Sequence, residues 1–183
     1  MAENPQKEQD REIRKKYSDD GILEEEVDFL GRKRDGLARA YYPNGKLKEE
    51  LSFQQGFQTG PCRWYYKNGK VQREISFLNG EMQGEMRVWY ESGELKERWN
   101  FKQGRLEGDA QILHKNGKVK EELRFIRDVQ EGLQRKYYDT GVLAVEAEYY
   151  NSKPHGLMKL YDEQGRLSGT ESYEFGELIV KKQ

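Results

Sequence analysis

Glycine sets the frame of this chain. Gly21, Gly45, Gly69, Gly93, Gly117, Gly141 and Gly165 stand 24 residues apart, and Gly36, Gly60, Gly84, Gly108, Gly132 and Gly156 repeat the interval. A third series, Gly56, Gly80, Gly104 and Gly176, keeps it with Asp128 and Ser152 in its gaps. These series hold 17 of the 19 glycines. A unit this short cannot bury a face alone, so the chain must fold by stacking copies.

One copy reads Gly60, Pro-Cys-Arg-Trp-Tyr-Tyr, Lys-Asn-Gly, Lys-Val-Gln-Arg-Glu-Ile-Ser-Phe, Leu-Asn-Gly-Glu-Met-Gln, Gly84. Two alternating runs flank the Asn68-Gly69 turn, a strong hairpin signal. The second connection, Leu78 to Gly84, carries two glycines and reads as a longer loop or bulged turn. The alternation excludes an amphipathic helix. The fold expected is all-β: an elongated single antiparallel meander sheet of seven 24-residue hairpins. Strands are predicted near 37–42, 46–53, 61–66, 70–77, 85–90 and 94–101. Residues 1–16 read as a polar tail and 17–183 as the repeat domain.

Alternation sorts the columns onto two faces. Cys62, Trp64, Tyr66, Val71, Ile75 and Phe77 share one, with an aromatic at Phe29, Phe53, Phe77, Phe101, Phe125, Tyr149 and Tyr173 in every copy. That is the core face. Toward the C-terminus its stripe weakens with Gln134, Lys136, Asp162 and Glu171, as in a polar capping repeat. The opposite face carries Arg39, Arg63, Arg87, Gln111, Arg135 and Lys159, preceded by Glu26, Glu50, Glu74, Arg98, Glu122 and Glu146. Where the acid becomes Arg98, the base becomes Gln111. This predicts that each residue of the acidic column faces the residue 13 positions on, because like charges across strands are unfavourable.

The run Trp64-Tyr65-Tyr66-Lys67-Asn68-Gly69-Lys70, followed by Phe77, Asn79-Gly80 and Gly84, resembles the MORN-type repeat and more closely its bacterial variant. The resemblance covers about residues 17–176 and implies a docking module. Bacterial proteins of this kind are grouped with YwqK-type antitoxins, which implies a partner toxin neutralised by binding.

No residue constellation points to catalysis. His114 stands in the column of Tyr42, Tyr66, Tyr90 and Tyr138 and reads as a packed aromatic substitute; His155 reads as a solvated loop residue. Cys62 shares its column with Ala38, Met86 and Ala110 and reads as an inert buried thiol. With two histidines and one cysteine there is no zinc spacing and no disulfide framework. The carboxylates repeat with the hairpin, whereas an acid–base pair would be singular. No enzyme activity, cofactor or metal is expected.

Binding is the expected role. Tyr41, Tyr65, Trp89, Tyr137 and Tyr161 line up on the charged face beside Arg63 and Arg87, a composition typical of interface hot spots. The alternative is that each ring lies over an arginine and stabilises the sheet. Gly45, Gly69, Gly93, Gly117 and Gly141, with Phe53, Phe77, Phe101 and Phe125, read as structural. The 32 basic and 33 acidic residues are interspersed, leaving no field for nucleic acid and disfavouring a membrane. The expected partner is another protein, a toxin if the resemblance holds, or a second copy through the apolar face. A spacer or assembly protein of the cell envelope, or a lipid-docking module, is the alternative. The cytoplasm is the expected location, with export after loss of a signal as the other case.

Overall fold

The computed structural model describes residues 10–182. They form an antiparallel meander of 19 strands, with no helix among the described residues. Two compact units divide it, residues 10–84 with 91–93 and residues 85–90 with 94–182.

In the first unit, Arg11–Tyr17, Leu23–Leu30, Lys33–Tyr41, Leu47–Gln54, Gly60–Tyr65 and Val71–Leu78 pair in succession. In the second, Leu95–Lys102, Gly108–Leu113, Val119–Ile126, Gly132–Tyr137, Leu143–Tyr150, Gly156–Tyr161, Leu167–Glu174 and Glu177–Lys182 do the same. The expected hairpins are therefore present, with ends within a residue or two of the predicted strands on the Asn-Gly side.

One of the two connections differs from expectation. At the Asn-Gly turn, the Tyr66 N–H donates to the Lys70 carbonyl and the Gly69 N–H to the Tyr66 carbonyl, each at 2.8 Å. Lys67, Asn68 and Gly69 thus make a three-residue loop, closed by Gly69 at φ +94°. The connection read as longer is the tighter one. Asn79 and Gly80 both take positive φ, 52° and 87°, as a two-residue mirror-image turn. Gln55, Gln103, Arg127, Asn151 and Phe175 take the same conformation in the other copies.

The remaining glycine lies inside a strand. Phe53 faces Gln58 and Glu50 faces Arg63, so residues 59–62 stand opposite only 51 and 52. That bulge turns on Gly60 at φ +71°, and the Thr59 N–H still reaches the Ser52 carbonyl at 2.9 Å. A glycine counted as part of a loop is thus a strand kink. It also explains why several first strands are split in two, as in Phe57–Gln58 and Gly60–Tyr65.

The tail expected through residue 16 meets a different outcome where it is described. Arg11–Tyr17 is a strand paired with Leu23–Leu30, and residues 1–9 lie outside the described residues. Its period matches the first strand of a repeat, but Arg14 and Lys16 fill core columns, which disguised it. The Arg14 guanidinium lies 4.1 Å above the Phe29 ring, covering the end of the stripe with charge. At the other end Glu171 occupies a core column and meets Lys181 at 2.7 Å.

Burial follows the expected core face. Val27, Ala38, Cys62 and Ile75 are buried in the first unit, and Ala110, Leu123, Phe125 and Ala147 in the second. Phe125 packs against Trp99 with ring centroids 5.9 Å apart. Phe53, Phe77 and Phe101 are half-buried.

Candidate functional site

The charged face is a ladder. Arg39 faces Glu26 on one side and Glu50 on the other, bonding them at 3.2 and 2.8 Å. Glu50 also faces Arg63, which bonds Glu74 at 2.5 Å. In the second unit Arg135 lies between Glu122, at 4.0 Å, and Glu146, at 3.0 Å, and Lys159 reaches Glu146 at 3.2 Å. Arg98 faces Gln111, as the paired substitution implies. Arg87 bonds Glu85 of its own strand at 2.5 Å. Apart from Glu85, Arg87 and Arg98, which are exposed, the ladder residues are half-buried; a solvated surface pair contributes about 0–1 kcal/mol.

The aromatic column is bound into this ladder by its hydroxyls. Tyr41 donates to Glu26 and Tyr137 to Glu122, both at 2.7 Å. Burial, reinforced by the carboxylate each hydroxyl donates to, pushes the Tyr41 and Tyr137 phenols up to about 12. The Tyr41 hydroxyl in turn holds Glu26 below its ordinary value, with Arg39 and Lys15 adding to the effect. Tyr65 is half-buried with its phenol also raised by burial, Trp89 and Tyr161 are half-buried, and Leu113 of the same column is buried. In other columns Arg34 lies over the Phe53 ring at 5.3 Å and Arg73 over the Trp64 ring at 3.9 Å. At the other end of the strands that carry Tyr137 and Tyr161, Leu133 is 42% and Leu157 51% exposed.

A second set of residues, not singled out in the sequence, ties successive turns together. The Tyr42 hydroxyl donates to the Tyr65 carbonyl at 2.7 Å, Tyr90 to that of Leu113 at 3.0 Å and Tyr138 to that of Tyr161 at 2.8 Å. The Asn44 side chain takes the Lys46 N–H at 3.1 Å and donates to the Lys67 carbonyl at 3.2 Å. Lys46 Nζ donates to the Asn68 carbonyl at 2.8 Å. Asn116 and Lys118 repeat this pattern, and Asn68 and Lys70 do so toward Glu91 and Ser92. The Tyr-x-Asn-Gly-Lys motif is therefore a staple reaching one repeat ahead. Its 24-residue recurrence was the visible signal, but its polar partners are backbone carbonyls, which no sequence column displays.

Both histidines serve the fold. His114 Nε2 meets the Tyr137 carbonyl at 3.1 Å, replacing a tyrosine hydroxyl in the staple. His155 is not a solvated loop residue: it is half-buried, 4.9 Å from the Phe175 ring centre, and its Nδ1 accepts the Phe175 N–H at 3.4 Å. Asp35, Glu107 and Glu131 accept the equivalent N–H groups of Gln55, Arg127 and Asn151. Asp128 and Ser152, which interrupt the third glycine column, use their side chains to accept the N–H groups of Leu106 and Gln130 at 2.7 and 3.0 Å. Cys62 is fully buried, and burial pushes its thiol up. Among the described residues no group of three His, Cys, Asp or Glu side chains is placed to hold a metal.

Comparison with curated proteins finds no match. Residues 34–55, 58–79, 82–103, 106–126 and 130–151 each match the model of the MORN repeat variant. These stretches take up more than half of the chain, and the protein belongs to the MORN repeat variant family.

Proposed function

We propose that the protein is a non-enzymatic binding scaffold whose charged face docks another protein, and that the partner is a toxin it neutralises. Repeats of this family serve as non-catalytic modules that bind proteins or membranes. One observation carries the choice of face: Leu133 and Leu157 stand exposed two residues from Arg135 and Lys159, on strands that run on to Tyr137 and Tyr161. Apolar residues on strands that carry Tyr and Arg, with the ladder's charges already paired, give a patch that loses little on desolvation. Tyr41, Tyr65 and Trp89, with Arg63 and Arg87, would extend it along the earlier repeats.

The test is capture of the tagged full chain from its native cell, beside a Leu133→Ser/Leu157→Ser variant. A stoichiometric partner held by the parent and lost by the variant at equal thermal stability is the expected result. A partner retained by the variant would remove the charged face from the account. The antitoxin step is tested separately: co-expression with the captured protein must rescue growth that the captured protein alone arrests.

A further inference from the structure

The first turn of the array lacks the tyrosine staple that later turns carry. Ser18, Asp20 and Ile22 stand where Tyr42, Asn44 and Lys46 stand one repeat on. The backbone is nevertheless the same three-residue loop. The Ser18 N–H donates to the Ile22 carbonyl and the Gly21 N–H to the Ser18 carbonyl, each at 2.9 Å. Gly21 closes it at φ +78°, as Gly45 closes the next at +77°. The side chains differ in what they reach. Tyr42 sends its hydroxyl forward to the Tyr65 carbonyl, whereas Ser18 Oγ accepts the Ile22 N–H of its own turn at 3.1 Å. Among the described residues, no side chain of residues 18–22 bonds the turn at 42–46. The place a tyrosine ring would fill between these two turns is open. It is a pocket of about 390 Å³ lined by Ser18, Ile22, Leu23, Tyr41, Tyr42 and Pro43, with Asp20 also in its wall.

We propose that this pocket receives the side chain of one tyrosine from a partner protein, its hydroxyl donating to the Tyr41 carbonyl. The repeat itself names the occupant. In later turns the same loop is bridged to the next by an aromatic ring whose polar end meets the carbonyl equivalent to that of Tyr41. Tyr42 does so on Tyr65, Tyr90 on Leu113, His114 on Tyr137 and Tyr138 on Tyr161. The lining suits such a ring, because tyrosine pairs an apolar body with a polar tip and Ile22, Leu23 and Pro43 offer the body an apolar wall. A water molecule could meet the carbonyl but would gain little from that wall. The volume lies within the about 300–1,000 Å³ of ligand sites, so it admits the ring together with backbone that carries it. The pocket is then an anchor point of the first unit, which rests on the reading of the protein as a protein-binding scaffold.

The probe is N-acetyl-tyrosine-N-methylamide, titrated into the isotope-labelled full chain. Saturable shifts of the Ile22 and Leu23 methyls are expected, and the phenylalanine analogue, which lacks the hydroxyl, should bind at least fivefold more weakly. Ser18→Tyr installs the array's own ring. It should raise the melting temperature and weaken binding of both the probe and the captured partner at least tenfold. Ser18→His, the substitute found at 114, serves the same purpose should the tyrosine variant misfold. Ser18→Ala leaves the pocket open and should bind the probe like the parent. Leu133→Ser/Leu157→Ser should also bind the probe like the parent, so this test can fail while the charged face stands, and the reverse. No saturable shift, equal binding of the phenylalanine analogue, or undiminished binding of probe or partner by folded Ser18→Tyr would each overturn the proposal.

Discussion

His114 Nε2 lies 3.1 Å from the carbonyl of Tyr137, one repeat ahead, where Tyr42, Tyr90 and Tyr138 place a hydroxyl on the equivalent carbonyl. A neutral histidine makes this contact as a donor from Nε2. Restoring the common residue should therefore be tolerated. His114→Tyr is expected to keep or raise stability, while Tyr138→Phe, which leaves the Tyr161 carbonyl unmet, should cost about 0.5–1.5 kcal/mol. Urea unfolding of the two variants checks both signs.

Two glycines of the strand-kink column predict unequal costs. At Gly84, φ is +86° and a Cβ would meet nothing within 4 Å, so alanine there carries backbone strain alone, about 1 kcal/mol or slightly more. At Gly36, φ is +124° and a Cβ would lie 2.5 Å from Asp28 Oδ2. That same oxygen accepts the Leu37 N–H at 2.9 Å, so the clash also displaces a hydrogen bond. Gly36→Ala should destabilise by at least about 1–2 kcal/mol more than Gly84→Ala in thermal melts.

The aromatic column should show a gradient. Phe125, 9% exposed and packed on Trp99, should lose about 3–5 kcal/mol on truncation to alanine. Phe77 is only half-buried, and its truncation should cost clearly less. Equal losses in denaturant midpoints would mean that exposure does not govern this column.

The ladder predicts loss of stability at both pH extremes. Glu26 is depressed, chiefly by the Tyr41 hydroxyl, and Glu146 is depressed by Lys159 and Arg135. Their contribution is present above the ordinary carboxyl value of 4.5 and disappears as pH falls through the lower folded values. Tyr41 and Tyr137 are raised from 10.0 to about 12, so their contribution is whole below pH 10 and lost as pH climbs toward 12. Denaturant midpoints against pH should fall at both ends, and Tyr41→Phe/Tyr137→Phe should flatten the alkaline limb.

The sheet and its register were legible because side-chain alternation puts charge columns on one face, where Arg98 could be balanced only by Gln111. What stayed hidden depends on the backbone. Asn79-Gly80 and Asn68-Gly69 are the same dipeptide, yet one closes a two-residue turn and the other a three-residue loop, a difference that lies in the backbone. The staples of Tyr42, Asn44 and Lys46 end on carbonyls, which carry no side-chain signature. Arg11–Tyr17 looked like a tail because a capping strand replaces core residues with Arg14 and Lys16. Of the aromatic column, the position on the charged face was legible, but its hydroxyl bonds to Glu26 and Glu122 were not.

Tyr138 is bonded into the sheet, whereas the proposed docking face is assigned to the exposed Leu133 and Leu157. Titration calorimetry with the captured partner, beside thermal melts, tests this division in one crossed design. Tyr138→Phe should lower the melting temperature and leave the dissociation constant unchanged. Leu133→Ser/Leu157→Ser should leave the melting temperature and weaken binding by at least tenfold, which is about 1.4 kcal/mol. Equal affinity for the parent and the Leu133→Ser/Leu157→Ser variant would contradict the account.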